Sequence, residues 1–152
     1  MKPRIIFATG LSALLVIVPA AFGQSAASAK PAARTALGLP VVPKNAAGYR
    51  KLSAEQLAAS MAGKKFTLVN VHVPFEANLP KTDLSIPFDQ IKSSANKLPR
   101  KDAPIVIYCR SGTMSTQAAK DLAAAGYTRV YELDGGFNAW KAGGHRLAGS
   151  TH

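Results

Sequence analysis

An unbroken apolar run at residues 104–108, followed at once by the only cysteine of the chain, Cys109, constrains the fold more than any other feature. A strand without polar alternation is typical of one that is buried on both faces, as in a parallel sheet covered by helices. A helical pattern then begins at Ser115 and stops before Gly126. Because strand and helix patterns alternate along the chain, the sequence predicts an α/β fold with a small parallel central sheet flanked by helices.

The remaining elements are predicted from caps, periods and chain-breaking residues. At 152 residues and 47% apolar composition, the chain has room for one compact core. A capping-box pattern at residues 53–56 begins a short helix that ends near Lys64. Strands are predicted at residues 66–73, 104–108 and 129–133, a loop at 75–83, a weak helix at 86–98, and a short helix at 137–142 after a Gly-Gly turn.

Residues 1–29 differ in composition from the rest of the chain. Two basic residues precede a nearly all-apolar stretch at residues 5–18, and small residues with A-x-A-like exits follow. This pattern is typical of a secretory signal peptide, so the protein is expected to be periplasmic or secreted. The apolar stretch is on the short side for crossing a bilayer, and an uncleaved anchor is the alternative. Residues 30–48 are rich in Ala and Pro and predict a linker or an arm along the domain, and residues 149–152 predict a tail.

Cys109 stands between a predicted strand and a predicted helix start. Exposed backbone N–H groups and the positive end of the helix dipole favour an anion there, so the thiolate form is favoured and Cys109 is a candidate nucleophile. The alternative is a small buried hydrophobe, the usual fate of a free cysteine. One cysteine can form no internal disulfide, and three scattered histidines show no metal-ligand spacing. Neither a metal nor a cofactor is expected.

Three segments carry a resemblance to a known family. Residues 108–115, YCRSGTMS, resemble the active-site loop of the rhodanese family of single-domain sulfurtransferases. Residues 133–143, LDGGFNAWKAG, are similar to the second signature of that family, and residues 66–74 stand where the family has an apolar strand ending in Asp-Val-Arg-x-Pro. The resemblance implies a rhodanese-like domain at residues 49–148, with the three-layer fold of the family.

The resemblance also implies a chemistry. Cys109 is then the catalytic nucleophile, which takes a sulfane sulfur from thiosulfate or a similar donor, becomes a persulfide and passes the sulfur to a nucleophilic acceptor. Loop amides are expected to curl around the sulfur, and Arg110 is expected to hold the oxyanion of the donor. The expected substrate-binding residues are Arg110, Ser111, Gly112, Thr113, Met114 and Ser115.

Departures from the family pattern keep other functions open. Asn70 and His72 replace the usual Asp and Arg and are candidate cleft residues, although a histidine after a strand is more often a surface or capping residue. Met114 stands where many relatives carry Arg or Lys. These changes suggest a non-catalytic rhodanese-like module that binds a periplasmic partner. A phosphatase or arsenate reductase is a weaker alternative, because the arginine that would clamp a dianion six positions after the cysteine is Ser115 here.

The chain is strongly basic, with a formal net charge of +11. Such a charge attracts small anions. The expected partners are a small anionic sulfur donor and, as acceptor, a thiol, a cyanide-like molecule or an acceptor protein. No nucleic-acid recognition motif is visible, so nucleic acid is not an expected partner. Membrane contact is expected only through an uncleaved leader.

Overall fold

The computed structural model describes residue 35 and residues 38–148, so the predicted leader and tail lie outside the described residues. The strands are β1 Arg50–Leu52, β2 Thr67–Asn70, β3 Leu84–Ser85, β4 Ile105–Tyr108 and β5 Val130–Leu133, and the helices are α1 Ala54–Ser60, α2 Thr113–Ala124 and α3 Gly136–Ala142. The five strands form one parallel sheet in the order β1-β5-β4-β2-β3. The predicted α/β fold with a parallel central sheet is confirmed.

The central strand β4 separates two buried layers, because successive strand residues point to opposite faces of a sheet. Val106 and Tyr108 belong to a buried cluster that includes residues of α1 and α3. Ile105 and Ile107 belong to a second cluster, built with α2. Cys109 continues the alternation and lies in the cluster with α2. The sheet is therefore the middle of three layers, and the cysteine lies on the α2 side.

Helix α1 begins with the capping box that the sequence predicts. The Ser53 hydroxyl accepts a hydrogen bond from the amide of Gln56 at 3.2 Å, and the Gln56 side chain accepts one from the amide of Ser53 at 2.9 Å. Such a cap contributes about 1 kcal/mol to helix stability, since it satisfies amides that have no partner within the helix.

Helix α2 is bounded by two glycines with left-handed backbone. It begins at Thr113, two residues earlier than predicted, directly after Gly112, whose φ is 102°. At its other end Gly126 has a φ of 91° and donates to the carbonyl of Ala123 at 3.1 Å, while Tyr127 donates to the carbonyl of Leu122 at 3.0 Å. These two bonds form a Schellman motif, which fixes the helix end at the predicted glycine.

The prediction of a helix at residues 86–98 is wrong. The structure has two short 3₁₀ turns there, Phe88–Gln90 and Ala95–Lys97, and neither has a side-chain cap. Polar residues dominate the segment, so no apolar stripe supports a longer helix. Strands β1 and β3 were not predicted, because segments of three and two residues show no measurable hydrophobic period.

Two residues ahead of β1, Leu39 and Val42, pack on the domain. Leu39 is fully buried in the cluster of α1 and α3, and Val42 packs against the same cluster. The carbonyl of Val42 accepts a hydrogen bond from the Arg50 side chain at 3.0 Å. Among the described residues, the helices are too short and too polar to span a bilayer.

Candidate active site

Cys109 lies at the carboxyl end of β4, where a loop of three residues leads into α2. The side chain is 1% exposed. Its sulfur accepts a hydrogen bond from the amide of Gly112 at 3.1 Å and one from the hydroxyl of Ser115 at 3.4 Å. The amide points at the sulfur because Gly112 has the left-handed φ that precedes α2. The sulfur therefore lies at a helix N-terminus with two donors directed at it, an arrangement that favours a negative charge.

Ser115 joins the sulfur to a buried acid. Its single hydroxyl proton can be donated to Oε1 of Glu132 at 2.7 Å instead of to the sulfur, and the hydroxyl oxygen lies 3.1 Å from the carbonyl oxygen of Gly112. Glu132 is 0% exposed, although it stands in the middle of β5. Burial raises the pKa of the Glu132 carboxyl, while the Ser115 hydrogen bond opposes the rise. A buried carboxyl group is thus linked to the Cys109 sulfur through the Ser115 hydroxyl.

Arg110 does not lie free over the sulfur. Its guanidinium is 3.4 Å from Oε2 of Glu76, and His72 approaches the same oxygen at 3.4 Å. The Arg110 side chain is 56% exposed, whereas His72 is almost buried and its ring stands edge-on to Phe137. The predicted anion-binding arginine and the predicted cleft histidine are therefore brought together by one acidic residue.

Asn70 is buried and organises the loop that carries Glu76. Its side-chain amide donates to the carbonyl of Ala77 and to the side chain of Asn78, both at 2.9 Å. Its side-chain oxygen accepts the amide of His72 at 3.0 Å. The contacts of Asn70 are thus with the loop after β2, and they hold that loop beside the cysteine.

The other predicted binding residues take different positions around the loop. Ser111 and Thr113 are exposed, and Met114 is half-buried and packs against the apolar cluster under α2. Thr113 is the first residue of α2, so its amide belongs to the helix N-terminus. In the described part of the chain, no group of three or more His, Cys, Asp or Glu residues is placed to hold a metal ion.

Two acids of the site were not predicted, Glu76 and Glu132. Glu132 had a usable signal, because it interrupts the predicted strand at residues 129–133 with a single charge. It is paired in register with Ile107, two residues before the cysteine, which places both side chains on the face of Cys109. Glu76 had no such signal, since it lies in a loop without a period.

The chain matches known proteins over this region. The family model for the rhodanese-like domain matches residues 53–143. A protein named sulfurtransferase from Allochromatium vinosum is 36% identical over 93 residues, covering 59% of this chain and 86% of that protein. A thiosulfate sulfurtransferase GlpE from Shewanella oneidensis is 30% identical over 101 residues, covering 60% of this chain and 92% of that protein.

A solved structure agrees with the sequence matches. The solution structure of a rhodanese-like domain from Anabaena is 26% identical, covers 66% of this chain and 79% of its own, and has a TM-score of 0.60. The chain belongs to the rhodanese-like family, and its relatives support a sulfurtransferase of the rhodanese type.

Proposed function

We propose that the protein is a sulfurtransferase that moves a sulfane sulfur from thiosulfate or a similar donor, through a persulfide on Cys109, to a nucleophilic acceptor. The observation that carries this proposal is the pair of donors on the sulfur, the amide of Gly112 and the hydroxyl of Ser115, at the start of α2. A thiolate and a persulfide anion both need hydrogen-bond donors, so the same two donors can stabilise Cys109 before and after it takes up the sulfur.

The reaction consists of two displacements. The Cys109 thiolate attacks the outer sulfur of thiosulfate, the sulfur–sulfur bond of thiosulfate breaks, and sulfite leaves with the electron pair. An acceptor nucleophile such as a thiolate then attacks the outer sulfur of the persulfide, and Cys109 leaves as the thiolate. Two half-reactions on one nucleophile predict ping-pong kinetics.

Access to the sulfur sets a condition on this proposal. Because Cys109 is 1% exposed, the donor reaches the sulfur only when the surrounding loop moves. The same burial, with Arg110 held by Glu76, favours the second candidate function, a non-catalytic module that binds a partner through the face around the loop. A phosphatase is disfavoured, because Ser115 occupies the position six residues after Cys109 where such an enzyme would need an arginine to clamp a phosphate dianion.

The deciding experiment is the transfer of sulfur to the protein itself. The reduced, folded protein is incubated with thiosulfate and its intact mass is measured. We expect an increase by the mass of one sulfur atom, and no increase in Cys109→Ser, which replaces only the sulfur by oxygen. If no sulfane donor loads the wild-type protein, the enzyme proposal fails and the binding module takes its place.

The expected signal peptide bears on where the reaction takes place. We propose that the protein acts after export, in the periplasm or outside the cell, because residues 1–29 have the composition of a signal peptide. An internal disulfide cannot rescue the single cysteine from oxidation, so the acceptor must be a separate molecule. Cell fractionation tests the location: recovery in the cytoplasm with residues 1–29 still attached would contradict it.

A further inference from the structure

Only one hydroxyl separates a buried carboxyl group from the Cys109 sulfur. Oε1 of Glu132 accepts the Ser115 hydroxyl at 2.7 Å, and the same hydroxyl oxygen is 3.4 Å from the sulfur. Oε2 of Glu132 is buried and has no hydrogen-bond partner in the described structure. An ionised carboxylate with an unsatisfied oxygen in the core is costly, so stability does not account for an acid at this position.

Ser115 has one hydroxyl proton and three acceptors within reach. The carboxylate oxygen of Glu132 is nearest, followed by the Gly112 carbonyl at 3.1 Å and the Cys109 sulfur. When Glu132 is ionised, its charge makes it the strongest acceptor and it takes the Ser115 proton. When Glu132 is protonated, its own O–H donates to Ser115, and the Ser115 proton is free to donate to the sulfur.

The groups around Glu132 and the Cys109 sulfur do not stabilise two negative charges at once. Ser115 of α2, Gly112 of the loop and Ile107 of β4 face Glu132, and all three are uncharged. From β1 the neighbour in register is Lys51, but its ammonium is bound to Asp134 at 2.7 Å. Burial raises the pKa of Glu132, the Ser115 hydrogen bond and Lys51 oppose the rise, and Asp134 adds to it. A carboxylate and a thiolate ionised together would repel each other across one hydroxyl.

We propose that Glu132 is a positioning residue that holds the Cys109 proton, so that the thiolate forms without releasing a proton to water. The proton of the thiol passes to Oγ of Ser115, while the hydroxyl proton of Ser115 passes to Oε1 of Glu132. One S–H and one O–H bond break, two O–H bonds form, and the negative charge moves from the carboxylate to the sulfur. The reverse transfer restores the thiol once the acceptor has taken the sulfur. This catalytic use rests on the proposed function, whereas the shared proton does not.

The shared proton is tested by titrating the thiolate through its ultraviolet absorbance, which needs no access to the sulfur. The titration runs from about pH 4 to about pH 10, the span of ordinary carboxyl and thiol groups. A parallel titration of Cys109→Ser subtracts the tyrosines. Two groups that share a proton lose protons in two joint steps. We expect the wild-type thiolate signal to rise in two steps and the Glu132→Gln signal to rise in one.

A matched control removes a neighbouring charge without touching the Ser115 hydroxyl. Asp134 lies two residues further along the chain and its side chain is exposed, so Asp134→Asn should keep the two steps. A single step in the wild-type protein would overturn the proposal, and this measurement decides even if Glu132→Gln fails to fold. Two steps without any sulfur loading would leave the shared proton standing while the proposed function falls. Normal sulfur loading together with a single titration step would support the proposed function and overturn the shared proton.

Discussion

The carbonyl oxygen of Cys109 accepts a hydrogen bond from the amide of Phe137 at 2.9 Å, and the next carbonyl, of Arg110, accepts one from Asn138 at 3.0 Å. Both amides belong to the first turn of α3, where amides have no partner within their own helix. The Gly-Gly turn and the short helix α3 that follows it therefore hold the cysteine loop through two backbone hydrogen bonds.

This close approach predicts that Gly136→Ala is strongly destabilising. A Cβ on Gly136 would lie 2.2 Å from the carbonyl oxygen of Cys109 and 2.6 Å from the carbonyl carbon of Arg110. Both atoms are backbone and cannot rotate away, and the φ of 58° adds strain for any side chain. We expect the free energy of unfolding to fall by about 3 kcal/mol, measured by denaturant titration.

The matched control for Gly136→Ala is Gly63→Ala. A Cβ at Gly63 would meet no atom within 4 Å, and Gly63 has no left-handed φ. This variant should be about as stable as the wild-type protein. Equal stability of the two alanine variants would mean that the cysteine loop and the Gly-Gly turn are not in close contact.

The fold was largely predictable from local patterns. The run at residues 104–108 gave the central strand, and the capping box at residues 53–56 and the glycine after α2 gave two helix boundaries. These features depend on a few adjacent residues, so a sequence displays them. Strands β1 and β3 are different, because they are short and owe their pairing to β5 and β2 rather than to any period of their own.

The nucleophile of the site could be predicted from the sequence, whereas its acidic residues were not predicted. Cys109, Gly112 and Ser115 meet because they belong to one loop and one helix turn. Glu132 and Glu76 come from distant segments, and only the register of the sheet and the course of a loop bring them to the site. The position of Arg110 depends on Glu76. The sequence therefore predicts that Arg110 binds an anion, but it does not predict that Glu76 is the group bound.

The Glu76 ion pair predicts that Glu76→Gln strengthens binding of an anionic donor. Removing the carboxylate frees the Arg110 side chain and takes a repulsive charge from the mouth of the site. Exposed ion pairs are worth up to about 1 kcal/mol, so we expect the KM for thiosulfate to fall about 2-fold to about 5-fold at low salt. The effect should fade as salt is added, because the pair is exposed.

A local effect must be separated from a change in net charge. Asp102→Asn makes the same charge change at an exposed acid paired with Arg100, in the turn that precedes β4 at the opposite end of the sheet from Cys109. If both variants lower the KM equally, long-range attraction explains the result and the role assigned to Glu76 is wrong.

Ser115→Ala should slow the chemical step more than it weakens donor binding. The variant removes one of the two donors on the sulfur and leaves the thiolate or persulfide less stabilised. We expect kcat to fall by about 10-fold with little change in KM, less than the roughly 100-fold cost of a lost oxyanion donor, because 3.4 Å to sulfur is a long contact. Thr116→Ala removes a hydroxyl from the same helix turn and should leave kcat unchanged.

The buried carboxyl of Glu132 predicts how stability changes with pH. Burial raises the pKa of Glu132 from its ordinary value of 4.5, so the folded protein binds more protons than the unfolded chain between the two values. The free energy of unfolding therefore falls as pH rises through this interval and stays lower above it. The loss is about 1.4 kcal/mol for each unit by which the folded pKa exceeds the unfolded one.

Glu132→Gln has no proton to lose at this position, so the comparison isolates the effect. Exposed acids with lowered pKa values, such as Glu55 and Asp102, titrate in both proteins and cancel in the difference. Denaturant titrations at several pH values should show the stability of the wild-type protein, relative to Glu132→Gln, decreasing from acid toward neutral pH. A flat difference would show that folding does not shift the pKa of Glu132. A difference that grows with pH would show that the folded protein stabilises the ionised carboxylate, because stability would then be gained as the proton leaves. Either result contradicts the prediction.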